Sequence, residues 1–122
     1  MSDLGDMSNL YWREFYIEGE APKLTSLKLG YDGLDNNNKS WYNKKLNAIN
    51  LPLSLPLLKE VNISNISLST DTSLNLSLSE KLENVRATKT SNLNEIKFAD
   101  GVALNTLYLP SGIKKLKLVK AD

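Results

Sequence analysis

Trp41 and Tyr42 are the residues of this chain best placed to do chemistry. They lie in a polar stretch, Tyr31 to Lys45, with Lys39, Lys44 and Lys45 close by and Tyr31 at its start. Aromatic faces beside cations suit a sugar, a peptide or a neighbouring subunit. A competing reading folds Trp41 back over the apolar residues beneath it, as cover. In the same stretch Asp32, Asp35 and Asn36 to Asn38 offer oxygen atoms to a cation. A calcium loop of the EF-hand kind also needs a mid-loop Gly and a terminal bidentate Glu at fixed spacing, and both are missing. These residues read as a turn.

Covalent and acid–base chemistry has little to work with. The 122 residues include no histidine and no cysteine. That removes the commonest general base, the commonest metal ligands and the thiolate nucleophile. An enzyme would have to run on carboxylates, Lys or Tyr alone. The carboxylates are scattered, and there is no phosphate loop, Rossmann glycine pattern or nucleophile elbow. The expectation is a protein that is not an enzyme and that uses no metal and no cofactor.

Charge and hydropathy narrow the partners. Lys and Arg number 15 against 14 Asp and Glu, so the strongly basic balance of a general nucleic-acid binder is absent. Met1 to Leu10 carry Asp3 and Asp6 where a secretory leader has a basic region. The richest apolar stretch, Leu51 to Leu58, is broken by Pro52, Ser54 and Pro56, so no membrane span is expected. N-x-S/T sequons at Asn38, Asn62, Asn65 and Asn75 read as chance matches in a chain rich in Ser and Asn.

The elements that would position any site follow from a repeated apolar pattern, L-x-x-L-x-L. It recurs at Leu24, Leu27, Leu29; Leu46, Ile49, Leu51; Leu58, Val61, Ile63; Leu82, Val85, Ala87; Leu93, Ile96, Phe98; Leu104, Leu107, Leu109; and Ile113, Leu116, Leu118. A fixed period of this kind marks a stacked repeat architecture. Leu58 and Leu82 are 24 residues apart, Leu82 and Leu104 are 22, and Leu24 and Leu58 are 34. The excess falls in Tyr31 to Lys45, a loop insertion. The unit is therefore about 22–24 residues with two short strands. Within each strand the side-chain period of two turns Leu27 and Leu29 inward and Lys28 outward. One such unit cannot bury its apolar face alone, whereas a stack buries a continuous column.

Two rows of outward residues follow. Lys28, Asn62, Arg86 and Tyr108 occupy equivalent positions in the first-half strands and form a candidate recognition row. The second-half row is Asn50, Asn75 or Ser77, Lys97 and Lys117. An ordinary solvated sheet face is the plainer reading of both. Residues 1–23 form an N-terminal coil or cap segment: either Phe15 to Ile17 is an earlier strand, which we favour, or Ser8 caps a short helix. Residues 24–122 form the repeat region. No polar cap is visible after Leu118. Lys114, Lys115, Lys117 and Lys120 either protect that edge by charge or the chain is a fragment of a longer array, the favoured expectation.

The segment Leu82-x-x-Val85-x-Ala87-x-x-Thr90-x-x-Leu93 resembles a leucine-rich repeat, with Thr90 where that family most often has Asn. The other units have Asp32, Ile66 and Gly112 there, so the family's buried Asn ladder is absent. The second half of each unit looks like another strand, as in BspA-like bacterial surface repeats. Units such as LNTLYLPSGIKKLKLVKA also look like repeat segments in large tail or baseplate proteins of bacteriophages. The resemblance runs over about Leu24 to Lys120. It implies a mainly β fold: a leucine-rich-repeat-like β-solenoid of about four to five coils, with two short parallel sheets and few or no helices. It also implies a non-catalytic structural or interaction module on a virion or bacterial surface, facing a protein partner or neighbouring subunits. The alternative is an adhesin or carbohydrate-binding segment that takes a glycan through Tyr31, Trp41 and Tyr42.

Overall fold

The computed structural model describes residues 13–31, 46–52 and 54–120. Among them there is no helix, and nine strands carry the fold. In chain order these are β1 (Glu14–Tyr16), β2 (Ser26–Lys28), β3 (Ala48–Asn50), β4 (Glu60–Asn62), β5 (Ser67–Leu76), β6 (Asn84–Arg86), β7 (Ser91–Ala99), β8 (Thr106–Tyr108) and β9 (Lys115–Val119).

Every pairing is parallel. One sheet has the order β2-β4-β6-β8, a second β5-β7-β9, and β1 pairs with β3 as a third. From β2 onward, consecutive strands alternate between the four-stranded sheet and one of the other two. Two parallel neighbours need a crossover to bring the chain back to the same end. Here a strand of the other sheet lies within each crossover. The sequence predicts two sheets, and the structure has three. Asn47 O accepts the Ser69 N–H at 3.0 Å, which links the β3 region to β5 without a ladder. The register of β5 against β7 shifts between Ser67 and Thr72 and again between Thr72 and Ser73. The polar run Ser69-Thr70-Asp71-Thr72 offers no apolar face to hold it in step.

The apolar period behaves as the pattern requires. Leu27, Val61, Val85 and Leu107 stand in register across the four-stranded sheet. The first three are buried and Leu107 is partly buried. Leu24, Leu58 and Leu82, which open the repeats, are buried too, and one apolar cluster joins them to Phe15, Leu74, Leu76, Ile96 and Phe98. The backbone repeats with the side chains. Thr25 O accepts the N–H groups of Lys59 and Glu60, Lys59 O those of Glu83 and Asn84, and Glu83 O those of Asn105 and Thr106. Glu14–Tyr16 form a strand with the buried Phe15 opposite Ile49, one residue earlier than the predicted Phe15 to Ile17. Ser8 and the helix it would cap lie outside the described residues.

Three buried hydroxyls bond to backbone groups 24 or 27 residues away in the chain. Thr90 Oγ1 donates to Ile63 O at 2.7 Å, Ser79 Oγ to Leu55 O at 3.1 Å, and Ser64 Oγ accepts the Thr88 N–H at 3.1 Å. Thr90 is the residue that stands where the repeat pattern has Asn. Thr90→Val keeps the shape and removes the donor, leaving a buried carbonyl without that bond. The expected loss is about 1–3 kcal/mol of unfolding free energy, read from the urea midpoint. An unchanged midpoint would show that the bond contributes nothing.

Burial declines toward the last strands. Leu107, Leu109 and Ile113 are partly buried, and Leu116 and Leu118 are 49% and 62% exposed. These are the same apolar positions that are covered in the preceding repeats.

Candidate binding face

Short turns set up the strands of the four-stranded sheet. The Leu24 N–H donates to Ala21 O, Leu58 to Leu55 and Leu82 to Ser79, so each strand is preceded by a tight reversal ending at an inward leucine. Four residues after Leu24, Leu58, Leu82 and Leu104, the side chains Lys28, Asn62, Arg86 and Tyr108 stand opposite one another. The structure therefore brings the first predicted row together on adjacent strands, about 4.8 Å apart in the pairing direction.

The row is not a uniform solvated face. Tyr108 is 48% exposed and Lys28 and Arg86 are partly exposed, but Asn62, in the middle of the row, is only 4% exposed. The sequence places Asn62 outward and open. It is outward in register and buried in fact, because it sits on an inner strand between two long side chains. Its Oδ1 accepts the Ser64 N–H at 3.0 Å, while its Nδ2 is buried without a hydrogen-bond partner. A buried amide donor left unpaired is unfavourable and rare in folded proteins.

Next to this row, on the same face, Glu60 lies opposite Ser26 and Asn84. Glu60 Oε2 is 3.6 Å from Lys28 Nζ and accepts the Ser26 hydroxyl at 3.3 Å. Both partners of this ion pair are partly solvated, so it contributes at most about 1 kcal/mol. Its effect is to place one negative charge beside two positive ones.

The second predicted row is in register only in part: Asn50, on β3, stands opposite Tyr16 in a separate sheet. Asn75, Lys97 and Lys117 stand opposite one another on β5, β7 and β9, and Asn50 lies on β3. Ser77 falls after β5, and its N–H and hydroxyl donate to Asn75 Oδ1 at 3.0 and 2.6 Å. Lys114, Lys115, Lys117 and Lys120 are exposed, and Lys115 pairs with Glu95 at 3.7 Å.

Glu95 stands between Ser73 and Lys115 in the ladder. The Ser73 hydroxyl, donating at 2.7 Å, holds its carboxyl below the ordinary range; partial burial opposes this, and Lys97, Lys115 and Lys117 add to the lowering. The charged form is thus favoured in the folded chain. Its stabilisation is complete above the unfolded value near 4.5 and is lost as pH falls through the lower folded midpoint. A carboxyl-detected NMR titration should place Glu95 below the ordinary value of 4.5, and Ser73→Ala should move it back up. A midpoint at or above the ordinary value would contradict this geometry.

Trp41 and Tyr42, with Lys39, Lys44, Lys45 and the Asp32 to Asn38 turn, lie outside the described residues. Tyr31, where the insertion begins, is held by its backbone: its N–H donates to Ser64 O at 3.2 Å and its carbonyl accepts from Asn65 Nδ2 at 2.8 Å. Asn65 adopts φ 59°, a left-handed conformation that Asn tolerates better than most residues. The start of the insertion is therefore anchored beside the end of β4, two residues past Asn62. Among the described residues, no group of three or more acidic side chains gathers to hold a metal ion.

Sequence reasoning missed the burial of Asn62. The available signal was Asn62-x-Ser64 and Asn75-x-Ser77, the same tripeptide at the ends of β4 and β5. In both, Asn Oδ1 accepts the N–H two residues on, a local bond typical of Asn. Compared with protein-family models, with curated proteins and with solved structures, the chain matches none of them.

Proposed function

We propose that this chain is a non-catalytic scaffold: a leucine-rich-repeat-like β-solenoid segment of a larger virion or bacterial surface protein. It presents the Lys28–Asn62–Arg86–Tyr108 row to a protein partner or neighbouring subunit. The observation that carries the reading is repetition of one backbone pattern. The same carbonyl–amide arrangement recurs at Thr25, Lys59 and Glu83, with the row in register above it. Repetition of this kind fixes side chains of successive turns on one rigid face, and such faces are commonly used for recognition. The exposed Leu116 and Leu118 at the outermost strand supply a second surface that a further turn of the same kind would cover.

The test uses the native protein. Recovered from its source by an antibody against this chain and sized by light scattering, it should run in an assembly several times heavier than 13.6 kDa. Cross-links to other polypeptides should map to Lys28. A free species near 13.6 kDa with no cross-linked neighbour would overturn the reading.

A further inference from the structure

We propose that the outer edge of β9 receives an extended segment of another polypeptide in which acidic and apolar residues alternate. The inference rests on the scaffold reading above and names the chemistry of the neighbour at the open end. β9 is the last strand of the sheet β5-β7-β9, so among the described residues no strand pairs with its outer edge. Leu116 and Leu118 stand opposite the buried Ile96 and Phe98, yet they are 49% and 62% exposed. Side chains alternate along a strand, so Lys115 and Lys117 project from the opposite face. One added strand serves both faces. It pairs the edge backbone, covers the two leucines and sets its alternate residues opposite the two lysines.

The charges say what those alternate residues are. Glu95 lies opposite Lys115 and pairs with it at 3.7 Å. Lys97 lies directly opposite Lys117, and like charges in that relation are unfavourable. Glu95 is the one carboxylate on which Lys97, Lys115 and Lys117 all act, and it also accepts the Ser73 hydroxyl. With Lys115 answered by Glu95, Lys97 and Lys117 are left without an ion pair among the described residues. A carboxylate opposite Lys117 on the added strand corrects this imbalance, and a neutral or basic residue does not. A second copy fits worse. Pairing through its own β9 sets lysine against lysine. Arriving by its first turn, it brings Phe15 and Leu27, which are already buried and have no surface left to cover Leu116 and Leu118. Lysines on an outermost strand guard it against stray pairing. The same charges that turn away copies of this chain select an acidic strand.

The test is a titration of the full 15N-labelled chain with a capped peptide of three Glu-Val pairs, followed at the Lys115–Val119 amides. The comparison probes are three Gln-Val pairs, three Lys-Val pairs and hexaglutamate. The Glu-Val peptide should shift the β9 amides saturably and slow their hydrogen exchange. Each comparison probe should bind at least about fivefold more weakly. Lys117 is exposed, so Lys117→Glu should stay folded, lose affinity for the Glu-Val peptide by a similar factor and take up the Lys-Val peptide instead. Lys28→Gln, on the other sheet, should leave the response unchanged. No response to the Glu-Val peptide, or an equal response to Gln-Val or hexaglutamate, would overturn the proposal. Self-association of the chain alone, lost in Leu118→Ser, would also overturn it and give the edge to a second copy. In the native assembly a zero-length carbodiimide link from Lys117 should run to a different polypeptide. A link within the same polypeptide, Glu95 aside, would overturn the proposal. A failed titration with the native chain still in a heavy assembly removes this docking edge alone. A free native chain removes the scaffold reading.

Discussion

Val85→Asp should abolish the cooperative fold. Val85 is fully buried, stands between Val61 and Leu107 in the ladder, and belongs to the single apolar cluster. Among the described residues no Lys or Arg is buried to pair with a new carboxylate. An unpaired charge there costs at least several kcal/mol even if the group takes up a proton. A domain of this size has a total stability on the order of 5–15 kcal/mol, so the variant should sit at or past the threshold. The expected result is loss of the β circular-dichroism signal and of a cooperative melt at neutral pH. Leu107→Asp should be milder, because Leu107 is only partly buried on β8. The order of the two effects follows the depth of burial across the four-stranded sheet. If Val85→Asp melted like the parent, β6 would be misplaced by one residue, since a one-residue slip exchanges the inward and outward faces of a strand.

Gly30→Ala should be the second large effect, and its sign is decided by space alone. Gly30 follows β2, and its N–H donates to Asn62 O at 2.9 Å. A Cβ there would overlap the backbone N and O of Ser64 and the carbonyl carbon of Ile63. Its φ lies outside the left-handed region, so with room available Ala would stabilise by about 0.4–1 kcal/mol through the unfolded chain. The overlapping atoms are backbone, which cannot rotate aside like the tip of a side chain. Overpacking of this kind typically costs about 1–3 kcal/mol, with larger values where backbone must shift. The measurement is the denaturation midpoint together with hydrogen exchange at Gly30 and Tyr31, whose amides bond to Asn62 O and Ser64 O. A raised midpoint would show that the two turns do not approach as closely as the structure places them.

How much was legible in the sequence depends on what a period can encode. The spacing of Leu27, Val61 and Val85 identified inward positions, and the three are buried in register. The same count put Lys28, Asn62, Arg86 and Tyr108 on equivalent outward positions, as the pairing has them. A period says which way a side chain points, and nothing about whether its neighbours close over it. Asn62 is outward and buried, whereas Leu116 and Leu118 occupy core positions and are exposed. The break into three sheets was illegible for a related reason. Ser67–Leu76 is one strand through a polar run, and its register shifts where no apolar residue marks the step. The Trp41 and Tyr42 insertion, the sharpest chemical candidate in the sequence, lies outside the described residues.

The shared carbonyl–amide arrangement at Thr25, Lys59 and Glu83 has a consequence for how such a gene can change length. Each arrangement presents the same acceptor to the next strand and offers the same N–H donors to the carbonyl of the previous one. Excision of residues 58–81 would bring β6 against β2, with Val85 meeting Leu27 as Val61 does now. Duplication of that segment would insert a strand pair that finds matching partners on both sides. Insertions or losses of whole repeats are therefore accommodated, while those of a few residues within a strand throw every later side chain onto the wrong face. A change of length that leaves the core intact therefore comes in whole repeats.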